Sequence, residues 1–109
     1  MAALLRTFNK MQTTNILCFH GWLQSKQKFY QKTGAFRKNL LKHNISLHFI
    51  DAPFVAKPPS HAPPDSTDYR TWVNANEDFT SYGNWQHSAE YVLEYMKQNG
   101  PFDGVLGFS

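Results

Sequence analysis

Short apolar runs bounded by turn residues predict three buried strands, at about 15–19, 45–50 and 104–108. The first run stops at His20-Gly21, and the second stops at Asp51-Ala52-Pro53. Runs of this length cannot be told from buried helix by periodicity alone, but the turn residues on both sides favour strands.

Two helices are predicted between these strands. The first covers about 25–42, where Ser25 can cap the N-terminus and Gly34 weakens the middle by about 1 kcal/mol. The second covers about 85–98, and Asn84 is its candidate N-cap. Its apolar positions follow one helical stripe that we expect to be buried: Trp85, Ala89, Val92, Leu93 and Met96.

A long irregular segment, 53–83, separates the second strand from the second helix. Its first part is rich in proline, which blocks both helix and strand pairing. Its aromatic residues favour a packed, cap-like loop over a site: Tyr69, Trp72, Phe79 and Tyr82. The predicted organisation is therefore an N-terminal extension, 1–14, followed by one domain, 15–109, that contains this loop.

Strands that alternate with helices indicate an α/β fold with a parallel sheet. In such sheets ligands bind at the carboxyl ends of the strands. Three chemically suggestive segments follow those ends: His20-Gly21-Trp22, Asp51-Ala52-Pro53 and Gly107-Phe108-Ser109. We expect them to meet at one edge of the sheet.

Gly107-Phe108-Ser109 matches the start of the G-x-S-x-G nucleophile elbow, in which a sharp turn exposes a serine hydroxyl. A small residue such as Gly107 is needed there, and a helix that follows would direct its amides at developing negative charge. On these three residues alone, an ordinary serine in a strand-end turn is the more frequent situation.

His20-Gly21-Trp22 resembles the turn from which many esterases supply an oxyanion-hole amide. The donor would be the backbone N–H of Trp22, and Leu23 is the nearby alternative. Gly21 allows the backbone to approach a substrate closely. We interpret His20 as a residue that shapes this turn rather than as a catalytic base.

Three blocks carry a family resemblance: LCFHGWLQS at 17–25, FIDAP at 49–53 and GPFDGVLGFS at 100–109. Together they resemble the FSH family of serine hydrolases, over residues 15–109, with the loop least similar. Ser25 departs from the asparagine frequent in that family. The resemblance implies a three-layer, α/β-hydrolase-like parallel sheet that is incomplete in this chain.

The resemblance also implies a hydrolase of carboxylic esters or thioesters, without a cofactor or metal, in which Ser109 is the nucleophile. His20, Gly21 and Gly107 would support the site. In the family order the acid and the base follow the serine, so we expect this chain alone to be inactive. A non-catalytic half-fold that binds a protein partner is the alternative function.

Other titratable residues fit the triad poorly. Asp51 ends a strand and is interpreted as a turn or helix-cap residue rather than a triad acid. The remaining histidines lack partner spacing, and no zinc-type spacing occurs: His43, His48, His61 and His87.

Charge and composition change the picture little. Residues 1–50 hold eight bases and no acid, whereas the remainder holds three bases and eight acids. Because the bases of the first half are spaced as on a solvated helix face, we expect no nucleic-acid partner. One cysteine, Cys18, indicates a reducing compartment, and no apolar run is long enough for a membrane span. We expect a cytoplasmic protein, with nuclear and mitochondrial alternatives; the oligomeric state is open.

Overall fold

The computed structural model describes residues 12–63, 67–75 and 82–108. Most of the predicted extension and Ser109 lie outside these residues. The elements along the chain are β1 (Thr14–Phe19), α1 (Lys26–Lys32), α2 (Gly34–Leu41), β2 (Ile45–Ile50), β3 (Phe54–Val55), β4 (Arg70–Thr71), β5 (Asn74–Ala75), β6 (Tyr82–Gly83), α3 (Trp85–Asn99) and β7 (Gly104–Gly107).

The predicted parallel sheet is confirmed. Its order is β2-β1-β7, and β1 pairs in parallel with both neighbours, so that Leu17 lies beside His48 on one side and Val105 on the other. The central strand holds the core, because Leu17 and Cys18 have no exposed surface. Two short antiparallel pairs, β3–β4 and β5–β6, lie within the 53–83 segment.

Helices pack on both faces of the sheet. Phe49 of β2 meets the ring of Phe29 on α1 at 5.4 Å. The preceding residue, His48, faces the opposite side and contacts Phe102, which stacks on Tyr95 of α3. The described residues therefore form three layers, as the resemblance implies. No helix among them is both long enough and apolar enough to cross a membrane.

The predicted helix 25–42 is divided into α1 and α2 at Thr33. Ser25 caps α1 as expected, since its hydroxyl accepts a hydrogen bond from the Lys28 N–H at 3.2 Å. The Thr33 hydroxyl donates back to the Phe29 and Tyr30 carbonyls, and Gly34 begins the second helix. A hydroxyl that competes for helical carbonyls, followed by a glycine of low helix propensity, accounts for the break.

The expected buried stripe of the second helix is wrong. Trp85 is 58% exposed and Leu93 is 59% exposed, whereas Ser88 is buried. α3 instead turns Ser88 and Tyr95 toward the rest of the chain, where Ser88 donates to the Trp72 carbonyl. Asn84 likewise provides no side-chain cap; it adopts a left-handed conformation with φ of 64°. The stripe is correct as a helical pattern, but within the described residues Val92 and Met96 are only half-buried and the other three members are exposed.

Candidate active site

The carboxyl ends of the three strands are joined at one edge of the sheet, which we call the rim. The Ala52 N–H, after β2, donates to His20 Nε2, after β1, at 3.0 Å. The Phe108 N–H, after β7, donates to the Phe19 carbonyl at 3.1 Å. A Cβ atom on Gly21 would lie 3.2 Å from the Phe108 carbonyl oxygen. Gly21 therefore lets the turn after β1 approach the end of β7 closely.

His20 is a buried, neutral connector within the rim. Its Nδ1 lies 2.8 Å from the Gly21 carbonyl, which can accept but not donate, so Nδ1 carries the proton and Nε2 accepts from Ala52. Burial lowers the pKa of His20, opposed by the Gly21 carbonyl and by Asp51. Both ring nitrogens are occupied, so this histidine is held away from proton transfer with a nucleophile.

Residues Gly21 to Gln24 form a tight turn beside His20. The Gln24 N–H donates to the Gly21 carbonyl at 3.2 Å, and the Gln24 side-chain oxygen accepts from the Gly21 N–H at 3.1 Å. Leu23, the third residue of the turn, has φ of 58°. Glycine usually takes that position in a turn of this kind, and a leucine there costs about 1–2 kcal/mol. Surrounding contacts must therefore hold the turn in place.

The amide of Leu23, the alternative oxyanion donor, is hydrogen-bonded within the structure. The Leu23 N–H donates to the Arg70 carbonyl at 3.0 Å, and the Arg70 N–H returns a bond to the Gln24 carbonyl at 2.8 Å. The Leu23 amide, the alternative donor named from the sequence, is thus committed to β4.

Asp51 lies at the rim but caps a helix. Its Oδ1 accepts a hydrogen bond from the Lys26 N–H, the first residue of α1, at 2.9 Å. This geometry agrees with the predicted capping role and explains the carboxylate without a triad, because an N-terminal helix amide is a favourable partner for negative charge.

The other histidines lie apart from the rim turn. His48 bonds to Asn15 Oδ1 at 2.8 Å, and His87 lies against the ring of Phe54. His43 and His61 are exposed. Within 12–63, 67–75 and 82–108, no group of three possible metal ligands comes together.

Ser109, the predicted nucleophile, lies outside the described residues, one position beyond Phe108. The neighbouring position Gly107 is open, since no atom lies within 4 Å of where its Cβ would stand. The described residues thus show where β7 ends, beside Gly21, but not the serine itself.

The sequence placed Trp72 in a packed loop over the site without assigning it a contact, and it did not single out Arg70 or Gln24 as supports of the rim. Arg70 holds Leu23 and Gln24 through its backbone, and its guanidinium pairs with Asp68 at 2.8 Å. Gln24 closes the turn with its side chain, and the Trp72 indole N–H donates to the His20 carbonyl at 2.9 Å. Gln24 belongs to the first block that resembles the family, so the sequence offered a reason to consider it. Arg70 acts through its backbone, and a backbone contact cannot be predicted from the identity of the residue.

Comparison with known proteins agrees with this geometry. The family model described as serine hydrolase (FSH1) matches residues 9–109. Similar curated proteins include Esterase C25G4.2 of Caenorhabditis elegans, 35% identical over 86% of this chain and 44% of its own length. Esterase OVCA2 of Danio rerio is also 35% identical, over 86% of this chain and 50% of its own length.

A protein named dihydrofolate reductase in Schizosaccharomyces pombe is 34% identical over 86% of this chain but 23% of its own length. The chain thus spans half or less of the length of these three relatives.

Proposed function

The chain belongs to the FSH1 family of serine hydrolases, and from that premise we propose that it contributes the nucleophile and one oxyanion donor to a hydrolase of carboxylic esters or thioesters. Ser109 is the proposed nucleophile and the Trp22 N–H the proposed donor. The names of the esterase relatives support this substrate class.

One observation carries the proposal: Gly21 lies against the Phe108 carbonyl, with a Cβ-to-oxygen distance of 3.2 Å for a hypothetical side chain. Gly21, which precedes the proposed donor, and Phe108, which precedes the proposed nucleophile in the sequence, therefore lie close together at the rim. An oxyanion donor and a nucleophile must lie within a few ångströms of one acyl carbon, and the close approach of the two preceding residues supports that arrangement.

In the proposed reaction the Ser109 oxygen forms a bond to the acyl carbon as its proton passes to a base. The carbonyl oxygen becomes an oxyanion that accepts from the Trp22 N–H. The bond to the leaving alcohol or thiol then breaks, and the leaving group takes the proton. Water hydrolyses the resulting acyl-serine by the reverse order of steps.

Within the described residues, the histidine at the rim is not suited to be that base. Both nitrogens of His20 are already bonded, and Asp51 is bonded to the start of α1. The proposed general base and its acid partner are therefore residues other than these two, in line with the family order in which they follow the serine.

The test uses a fluorophosphonate probe, which labels activated serines, on the longest protein product of the gene and on the 109-residue chain. We expect labelling of the longest product at Ser109, with loss of label in S109A. The rates at which the same two proteins hydrolyse p-nitrophenyl acetate, butyrate and octanoate then show which acyl length is preferred.

Failure of the longest product to label, or labelling that persists in S109A, would contradict the proposal and favour the non-catalytic alternative. A folded S109A protein, checked by circular dichroism, ensures that lost label reflects lost chemistry.

A further inference from the structure

We propose that Trp72 is a positioning residue for the candidate oxyanion turn, a role that rests on the proposed function. Its indole N–H donates to the His20 carbonyl at 2.9 Å. Trp72 does not reach the acyl group in this scheme; it acts through the backbone that carries the Trp22 amide.

The first step concerns the peptide unit between His20 and Gly21. A peptide unit is planar, so its carbonyl and its N–H turn together. Trp72 holds the carbonyl, and the Gln24 side-chain oxygen holds the N–H at 3.1 Å. With both ends bonded, this unit has one orientation.

The next peptide unit, between Gly21 and Trp22, contains the proposed donor itself. Its carbonyl accepts from His20 Nδ1 at 2.8 Å and from the Gln24 N–H at 3.2 Å. Since the N–H of a trans peptide points away from its carbonyl, these bonds set the direction of the Trp22 N–H. The His20 ring can hold the Gly21 carbonyl in this direction only while the His20 backbone is fixed. The hydrogen bond from Trp72 to the His20 carbonyl fixes that backbone.

Trp72 is itself held from two sides. Its ring meets Phe19 edge-to-face, with centroids 5.4 Å apart, and packs against the His20 ring at 5.2 Å. Its backbone carbonyl accepts from the hydroxyl of Ser88 on α3. Arg70, two positions earlier in the chain, accepts a hydrogen bond from the Leu23 N–H through its carbonyl. The segment from Arg70 to Trp72, which we call the clamp, thus connects α3 to the rim.

Loss of the indole N–H should leave the fold in place and loosen the turn. A donor misplaced by a fraction of an ångström loses transition-state stabilisation without losing substrate contacts. We therefore expect W72F to lower kcat about 10-fold with little change in KM.

The experiment has two readouts besides the kcat and KM of p-nitrophenyl ester hydrolysis by the longest product. Amide hydrogen exchange at Leu23 and Gln24 reports the turn in either protein product, whether or not Ser109 reacts. The rate of fluorophosphonate labelling reports the chemistry in the longest product. W85F is the matched control, because Trp85 is also a tryptophan but is 58% exposed.

A second substitution separates the hydrogen bond from ring volume. Replacement of Trp72 by 3-benzothienylalanine keeps the bicyclic shape and exchanges the N–H for sulfur. It should reproduce the faster exchange and slower labelling of W72F even where the phenylalanine variant is unstable. S88A should change both in the same direction by a smaller factor.

The outcomes distinguish the two proposals. Faster exchange at Leu23 in both Trp72 variants, with W85F unchanged, supports the clamp even if Ser109 never labels. Exchange and labelling that match W85F in both Trp72 variants would overturn it, even if S109A confirms Ser109 as the nucleophile.

Discussion

The turn after β1 buries polar side chains, whereas the α3–β7 side of the molecule leaves apolar side chains exposed. At the turn, His20 is 2% exposed and Ser25 is 1% exposed. On the other side, Leu93 of α3 and Val105 of β7 are 59% and 62% exposed. β7 is also an edge strand in the part of the sheet that the structure describes.

An apolar groove of about 380 Å³ lies along the face of β7 that carries Leu106. It is lined by Phe29, Lys32, Thr33, Phe36, Leu47, Leu106 and Phe108. An apolar sequence is therefore not sufficient to form a core. A strand is buried only where other elements pack against both of its faces. The surfaces around β7 have the exposed apolar character typical of a contact surface.

The largest expected effect comes from one substitution made in both regions. L17A removes a fully buried side chain from β1 and should lower the free energy of unfolding by about 2–5 kcal/mol. L93A, at an exposed position, should change it by no more than about 0.5 kcal/mol. Urea denaturation followed by circular dichroism compares them, and equal losses would show that Leu93 is covered in solution.

His20 should give the next largest effect. H20A leaves the buried Ala52 N–H without its acceptor, which costs about 1–3 kcal/mol of unfolding free energy. Urea denaturation of H20A against the unchanged protein at pH 8 measures it. H87A is the control, because His87 is exposed. A loss of unfolding free energy as large in H87A as in H20A would contradict the predicted difference between the two positions.

Stability should also depend on pH through His20. Because folding lowers the pKa of this buried histidine, the unfolded chain binds the proton more readily. The contribution of neutral His20 is fully present above about pH 6.5 and is lost as pH falls below that value toward the lowered pKa. Melting temperatures between pH 8 and pH 5 should fall less in H20A than in the unchanged protein; parallel curves would contradict this.

A smaller effect is expected at the start of α1. S25A removes the cap on the Lys28 N–H and should cost about 1 kcal/mol. S25N, which restores a capping side chain, should recover most of this loss. If S25N is no more stable than S25A by urea denaturation, the buried fit of the serine matters more than its cap.

The smallest effect on stability is expected from V105K, which tests whether the exposed α3–β7 side takes part in association. At 62% exposure the change should alter unfolding free energy by about 0.5 kcal/mol or less. A charge on an edge strand should reduce association, so static light scattering should show less aggregate than in the unchanged protein. A strongly destabilised V105K would mean that this strand is covered.

Much of this fold could be read from local patterns. The three strands were predicted within one residue of their observed ends. Short apolar runs that end at glycine, proline or aspartate are typical of buried strands. The Ser25 cap followed from the preferences of helix N-termini, and the interpretation of Asp51 as a turn or helix-cap residue followed from its place at a strand end. The break at Thr33 and the exposed face of α3 did not, since one depends on a competing hydroxyl and the other on which neighbours are present.

The sequence by itself determined the α/β order, the positions of the strand ends and the family blocks that include His20, Gly21 and Ser109. These features depend on residues close together in the chain. Only the tertiary structure decided that Leu23 is committed to Arg70, that His20 uses both ring nitrogens, and that Trp72 holds the His20 carbonyl. Contacts between residues far apart in the sequence depend on how the segments pack, which the identity of a single residue does not determine.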